Sequence, residues 1–151
     1  MAAFVSGLST SGFDLSDYEG AWSLHRQSTD GAEMLGQATI TRDNEHYLYE
    51  ESGELTLPTG ERLLFNRTYC WVGDGATLRI FFDRACRNLF LHLIPVFDRT
   101  NYIGRASHKC GDDFYDAEFT FEGGQAFRTT YSVSGPRKDY VLTSEYRRSR
   151  D

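Results

Sequence analysis

The chain has 151 residues, 16 Lys+Arg against 22 Asp+Glu, and a formal net charge of -6 at pH 7. That length makes one domain able to bury its own core, and the negative field repels phosphate, which excludes general nucleic-acid binding without a concentrated basic patch. Three cysteines, Cys70, Cys86 and Cys110, are an odd number in a chain with no need of cross-links, which points to a reducing compartment, a cytoplasmic location and free thiols.

Residues 1–17 lack the basic segment and sustained apolar run of a signal or anchor, so no membrane is expected as a partner. They read as a flexible N-terminal arm in which Asp14 to Tyr18 can form one helical turn capped by Asp14 or Ser16. The domain is expected over residues 18–148, with 149–151 as a solvated tail. Residues 20–26 alternate, with Trp22, Leu24 and Arg26 on one side, and Gly20 lets the Trp22 ring close one end of a barrel.

A second strand is predicted over 33–42 and a third over 46–57, with a bulge or bend at Ser52-Gly53. After the turn at Pro58-Thr59-Gly60, residues 62–72 place Leu63, Phe65, Arg67, Tyr69 and Trp71 on one face. Short strands follow over 77–83 and 88–93. Residues 95–104, containing Phe97, Asn101 and Tyr102, are the longest connection without a period, as site loops often are. Residues 104–124 open with a polar cluster, His108, Cys110, Asp112, Asp113 and Tyr115, then alternate cleanly. Residues 126–134 and 137–147 complete the chain.

About ten strands joined by tight turns, with no long helical stretch, give an all-β chain. An antiparallel up-and-down barrel is favoured over a two-sheet sandwich, because consecutive short turns suit a meander and closure removes exposed edges.

Gly20-x-Trp22, the meander and a late arginine-bearing strand resemble the calycin plan shared by lipocalins and fatty-acid-binding proteins. In that plan an arginine of the last strand, here Arg147, packs across the first-strand tryptophan. The set Trp22-x-x-x-Arg26, Tyr49-x-Glu51-x-Gly53, Arg67-x-Tyr69, His108-x-Cys110-x-x-Asp113-x-Tyr115, Gly135-Pro136-Arg137-Lys138-Asp139-Tyr140 and Tyr146-Arg147 resembles the family catalogued as domain of unknown function 6314. The likeness covers nearly the whole domain and implies a lipocalin-like barrel with a shared polar set, not a reaction. The 95–104 connection looks longer than that plan requires.

If Leu63, Phe65 and Trp71 point inward, so does Arg67, and a buried guanidinium needs a carboxylate or an anion. Glu51 on the preceding strand is the nearest candidate, either as a self-contained pair or beside a ligand. Tyr49, Tyr69, Tyr115, Tyr131 and Tyr140 can orient a polar ligand or simply fill the core. His92, His108 and Cys110 carry metal-ligand chemistry, but no paired spacing supports a metal, and no cofactor is assigned. Asp113 is a partner for His108, and Lys138 is either a point charge for an anion or an exposed turn residue.

The expected function is binding of a small polar or anionic molecule, aromatic ones included, in the barrel interior, by a monomer or homodimer. The expected pocket set is Tyr49, Glu51, Arg67, Tyr69, His92, His108, Cys110, Asp113, Tyr115, Tyr131, Lys138 and Tyr140. The alternative is a cofactor-free lyase, isomerase or hydrolase in the same pocket, with His108 or Glu51 as acid/base. Its tyrosine, arginine and glutamate types are similar to the interior of phenolic acid decarboxylases.

Overall fold

The computed structural model describes residues 13–96 and 101–149. Period-two alternation folds as ten antiparallel strands: β1 Gly20–Ser28, β2 Glu33–Asp43, β3 His46–Thr56, β4 Arg62–Asp74, β5 Thr77–Phe81, β6 Leu89–Pro95, β7 Tyr102–Cys110, β8 Asp113–Glu122, β9 Ala126–Ser134 and β10 Asp139–Arg148. Each pairs with its neighbour in the chain, and β1 pairs with β10, so the sheet closes into an up-and-down barrel as its turns predict. Closure gives every strand two neighbours, though β6 and β7 pair only at Ile94↔Arg105 and Pro95↔Gly104. No helix among the described residues is long and apolar enough to cross a membrane.

Of the bulge or bend expected at Ser52-Gly53, a bulge does not form, since β2 and β3 keep one register from Glu33↔Thr56 to Asp43↔His46. Gly53 instead faces Gly36 where the two backbones crowd together. A Cβ on Gly36 would lie 2.2 Å from Ser52 O, and one on Gly53 2.4 Å from Leu35 O. The register shift falls between Ile80 and Phe81 on β5.

One end of the barrel is plugged. Asp14 Oδ1 accepts from Ser16 N at 3.0 Å and caps a 3-10 turn, Leu15–Tyr18. Phe13, Leu15 and Tyr18 are buried, so residues 13–17 belong to the plug and are not a loose arm; residues 1–12 lie outside the described residues. Phe13 stacks on Tyr102 with centroids 4.1 Å apart, and Trp22 Nε1 donates to Tyr18 O at 3.0 Å.

Arg148 closes this end, its guanidinium 4.2 Å above the Trp22 ring and donating to the carbonyls of Asp17, Glu19 and Gly124. Gly20 clears the way, with φ +123° and no room for a Cβ, which would sit 2.8 Å from Arg148 Nη1. The arginine across the tryptophan is therefore Arg148, not Arg147. Trp22 pairs with Arg148 in the β1–β10 ladder, whereas Arg147 is exposed.

β7 begins at Tyr102, so the 95–104 stretch is a shorter connection than expected. Tyr102 packs into the plug. Phe97 lies outside the described residues.

The thiols expected free are not all free: Cys70 and Cys86 are bonded, Cα atoms 5.5 Å apart, and Cys110 is a free, exposed cysteine. Trp71 points inward, so Cys70 points outward. It is nonetheless fully buried, because the turn after β5, carrying Cys86, folds back over it.

Candidate functional site

Above the plug, inward residues of β1, β3 and β10 meet in a polar network. Arg26 Nη1 donates to Glu51 Oε2 at 2.9 Å and Nη2 to Glu51 Oε1 at 3.0 Å, a two-pronged pair. Arg26 Nε donates to Ser144 Oγ at 2.6 Å, Nη2 also to Tyr146 OH at 3.3 Å, and Nη1 approaches Met34 Sδ at 3.4 Å. All five guanidinium donors are thereby engaged. Tyr49 OH donates to Glu51 Oε1 and lies 2.7 Å from Tyr146 OH, which makes Tyr146 the donor to Tyr49.

Burial opposes the charge on Glu51, but the Arg26 hydrogen bonds and charge, with the Tyr49 hydroxyl, outweigh it and hold its pKa below the ordinary carboxylate value. Burial likewise opposes the Arg26 cation, yet the hydrogen bonds and charge of Glu51 favour it and its pKa stays raised, so the pair is ionic. Burial pushes the Tyr49 and Tyr131 hydroxyls well above the usual phenol value and raises Tyr146 too. All three are neutral at pH 7.

This network floors a cavity of about 120 Å³ that opens at the end opposite the plug. By volume it holds several waters or one small molecule. Its walls are aromatic and aliphatic, with Tyr69, Trp71, Phe90, Tyr115, Phe119 and Tyr131 the larger contributors. Phe90 stacks on Tyr131 at 5° and on Tyr69 at 17°. Besides the network and the tyrosine hydroxyls, two further polar groups face this space. Thr129 Oγ1 is buried and has no hydrogen-bond partner among the described residues. Arg67 lines the mouth, where Nη1 donates to Tyr69 OH at 3.0 Å.

Arg67 does stand opposite Glu51 in the β3–β4 register, as hairpin pairing predicts. The expected Arg67–Glu51 ion pair is nonetheless absent, because Arg26 reaches across from β1 and takes both carboxylate oxygens. Among the described residues no carboxylate lies within ion-pair distance of Arg67. The one anion is thus taken by Arg26 alone.

Of the other predicted residues, Tyr49, Glu51, Tyr69, Tyr115 and Tyr131 line the cavity. His108 packs its ring edge-on to Phe90, 5.2 Å between centroids, beside the cavity. His92 is on the outer wall, since Leu91 and Leu93 take the inward positions of β6. Cys110 is exposed at the end of β7. His92, His108 and Cys110 therefore do not assemble.

Lys138 Nζ sits 3.0 Å from Asp113 Oδ2 and donates to Tyr115 OH at 3.3 Å, so its charge is balanced at the rim and Asp113 serves Lys138. Gly135 makes room for that carboxylate, because a Cβ there would lie 2.1 Å from Asp113 Oδ1. Tyr140 is half-buried and does not line the cavity. The expected pocket set left out Arg26, Thr129 and Tyr146, although Arg26 and Tyr146 stand in the motifs that carry the family resemblance. The signal available for Arg26 was its place on the Trp22 and Leu24 side of β1.

A barrel sealed by aromatics at one end, with a hollow of mixed polarity at the other, has the build of a small-molecule-binding barrel. The chain belongs to the family of unknown function DUF6314, whose profile matches residues 18–148. Among solved structures it is similar to the S-type phycobiliprotein lyase from Guillardia theta, with TM-score 0.62, 9% identity and 91% of each chain covered. It is also similar to EF1p2_mFAP2b bound to DFHBI, with TM-score 0.50, 14% identity, and 89% of this chain and 95% of that one covered. At such identities the likeness is one of fold. No curated protein matches the sequence.

Proposed function

We propose that this calycin-like barrel binds a small anionic molecule, of polar-aromatic type, in its interior. The observation that carries the reading is the charge balance around the cavity: Glu51 is committed to Arg26, which leaves Arg67 as a cation at the mouth with a phenol as its one hydrogen-bond acceptor among the described residues. An anion there would be held by Arg67 and oriented by Tyr69. Its rings would lie among Phe90, Tyr115 and Tyr131, and a polar group at its inner end would satisfy Thr129 Oγ1.

Binding is preferred to cofactor-free catalysis because an acid or base needs a pKa near the working pH. Glu51 is pulled the other way, and both its oxygens are occupied. The composition favours the cytoplasm, where the Cys70–Cys86 bond would stand reduced.

Native mass spectrometry of the full chain, purified without added ligand, tests the reading. A retained small anion that Arg67→Ala releases is the expected result. Retention unaffected by Arg67→Ala would refute it.

A further inference from the structure

Outside the barrel, remote from the cavity, three side chains converge on the wall of β3 and β4. A ring nitrogen of His46, Cys70 Sγ and Cys86 Sγ all lie within 4.8 Å of one another. Register explains two of them: Leu48 pairs with Cys70 across β3–β4, and His46 lies two residues before Leu48 on the same outer face. Cys86 arrives from the turn after β5.

That turn is fixed by groups other than the sulfur bond. Asp83 Oδ1 accepts from Arg87 N at 3.0 Å and Asn88 N at 2.7 Å, and Asp83 O accepts from Cys86 N at 3.1 Å. Cys86 takes φ 58°, a left-handed conformation costly for a side chain of this kind, yet held by those bonds. Opening the sulfur bond therefore leaves Cys86 beside Cys70. His46 Nε2 is buried and has no hydrogen-bond partner among the described residues, with Asp43 Oδ2 3.4 Å away. An imidazole beside two sulfurs, its Nε2 buried without a hydrogen bond, has the chemistry of a metal ligand.

We infer that reduced Cys70 and Cys86, with His46, form a zinc site on the outer wall. Two thiolates and an imidazole suit zinc. Tetrahedral bonds of about 2.3 Å would set the sulfurs about 3.8 Å apart, a side-chain adjustment for residues whose Cα atoms are 5.5 Å apart. Asp43 or a water fills the fourth position.

The chemistry balances with a phosphine as reductant. The bond accepts two electrons from phosphorus, water supplies the oxygen of the phosphine oxide, and its two protons leave both sulfurs as thiols. Metal binding then releases one proton from each thiol. In a cell a dithiol would supply the same two electrons and two protons while forming its own disulfide. The disulfide and the metal thus compete for the same sulfurs.

The test uses the full chain, reduced anaerobically with a phosphine and titrated with Co²⁺ alone. The expected result is one equivalent of Co²⁺ with the intense visible absorption of a tetrahedral thiolate site, displaced by Zn²⁺, kept by Cys110→Ser and absent from the oxidised protein. Cys70→Ser removes it. Where that variant fails to fold, His46→Ala, which keeps both cysteines and can be checked for folding in its oxidised form, carries the same test. It should weaken Co²⁺ binding by at least the roughly 10–100-fold that loss of an outer-shell partner costs. No tetrahedral thiolate spectrum in the reduced protein, the same affinity in His46→Ala, or loss of the signal in Cys110→Ser would overturn the site.

Discussion

The Arg26 guanidinium meets the Glu51 carboxylate end to end, at 2.9 and 3.0 Å, although β2 lies between their strands. The Glu51 side chain is 3% exposed and that of Arg26 21%, so each depends on the other for its charge. Removing one partner of such a pair strands the other, at about 3–5 kcal/mol, while removing both is far cheaper. Urea unfolding at pH 7 should therefore give a large loss for Glu51→Met and for Arg26→Met. The double variant should cost well under their sum. Strict additivity would mean that the two charges are not coupled.

The same network sets the response to acid and alkali. Glu51 has a folded pKa below its unfolded value of about 4.3, so its stabilisation is complete above that value and is lost as pH falls through the folded pKa. Tyr49, Tyr131 and Tyr146 are raised, so their contribution is complete below the unfolded pKa of about 10 and declines as pH rises beyond it. Stability followed by circular dichroism should be level between these limits. Spectrophotometric titration should find these three phenols ionising only as the fold opens, and their titration at pH 10 in the folded protein would contradict the burial.

At the plugged end, Arg148 covers Trp22 and bonds three carbonyls. Its loss in Arg148→Ala should cost about 2 kcal/mol. Arg147→Ala removes an exposed side chain and should stay within about 0.5 kcal/mol. Thermal unfolding of the two variants side by side distinguishes them, and equal Tm losses would place the cap wrongly.

Much of the barrel was legible because alternation reports directly on which side of a strand a residue faces. Trp22, closing one end of the barrel, and Trp71, sharing a face with Leu63 and Phe65, read as inward, and both are buried. His92 was open to the same reading, since Leu91 and Leu93 on either side of it take the core face. The Arg26–Glu51 pair was not legible, because it depends on how three strands stagger. Trp22, not Arg26, shares Ala38 as register neighbour with Glu51, and a long side chain covers the remaining distance. Arg147 for Arg148 is a one-residue error, and one residue reverses the face. The Cys70–Cys86 bond was hidden for another reason: a turn folding onto the outside of a sheet leaves no periodic trace.

Arg67 separates binding from stability. It is exposed and its hydrogen bond goes to Tyr69 OH at the mouth, so Arg67→Ala should lose less than about 1 kcal/mol. The most direct measurement is thermal unfolding of wild type and Arg67→Ala against a set of small aromatic carboxylates, 4-hydroxybenzoate among them. A ligand at 100 times its Kd adds about 2.7 kcal/mol, roughly 5–10 °C for a domain of this size. At least one carboxylate should raise the wild-type Tm by that order and leave Arg67→Ala unmoved. Equal shifts in both proteins, or none in either, would contradict an anion site at the mouth of the barrel.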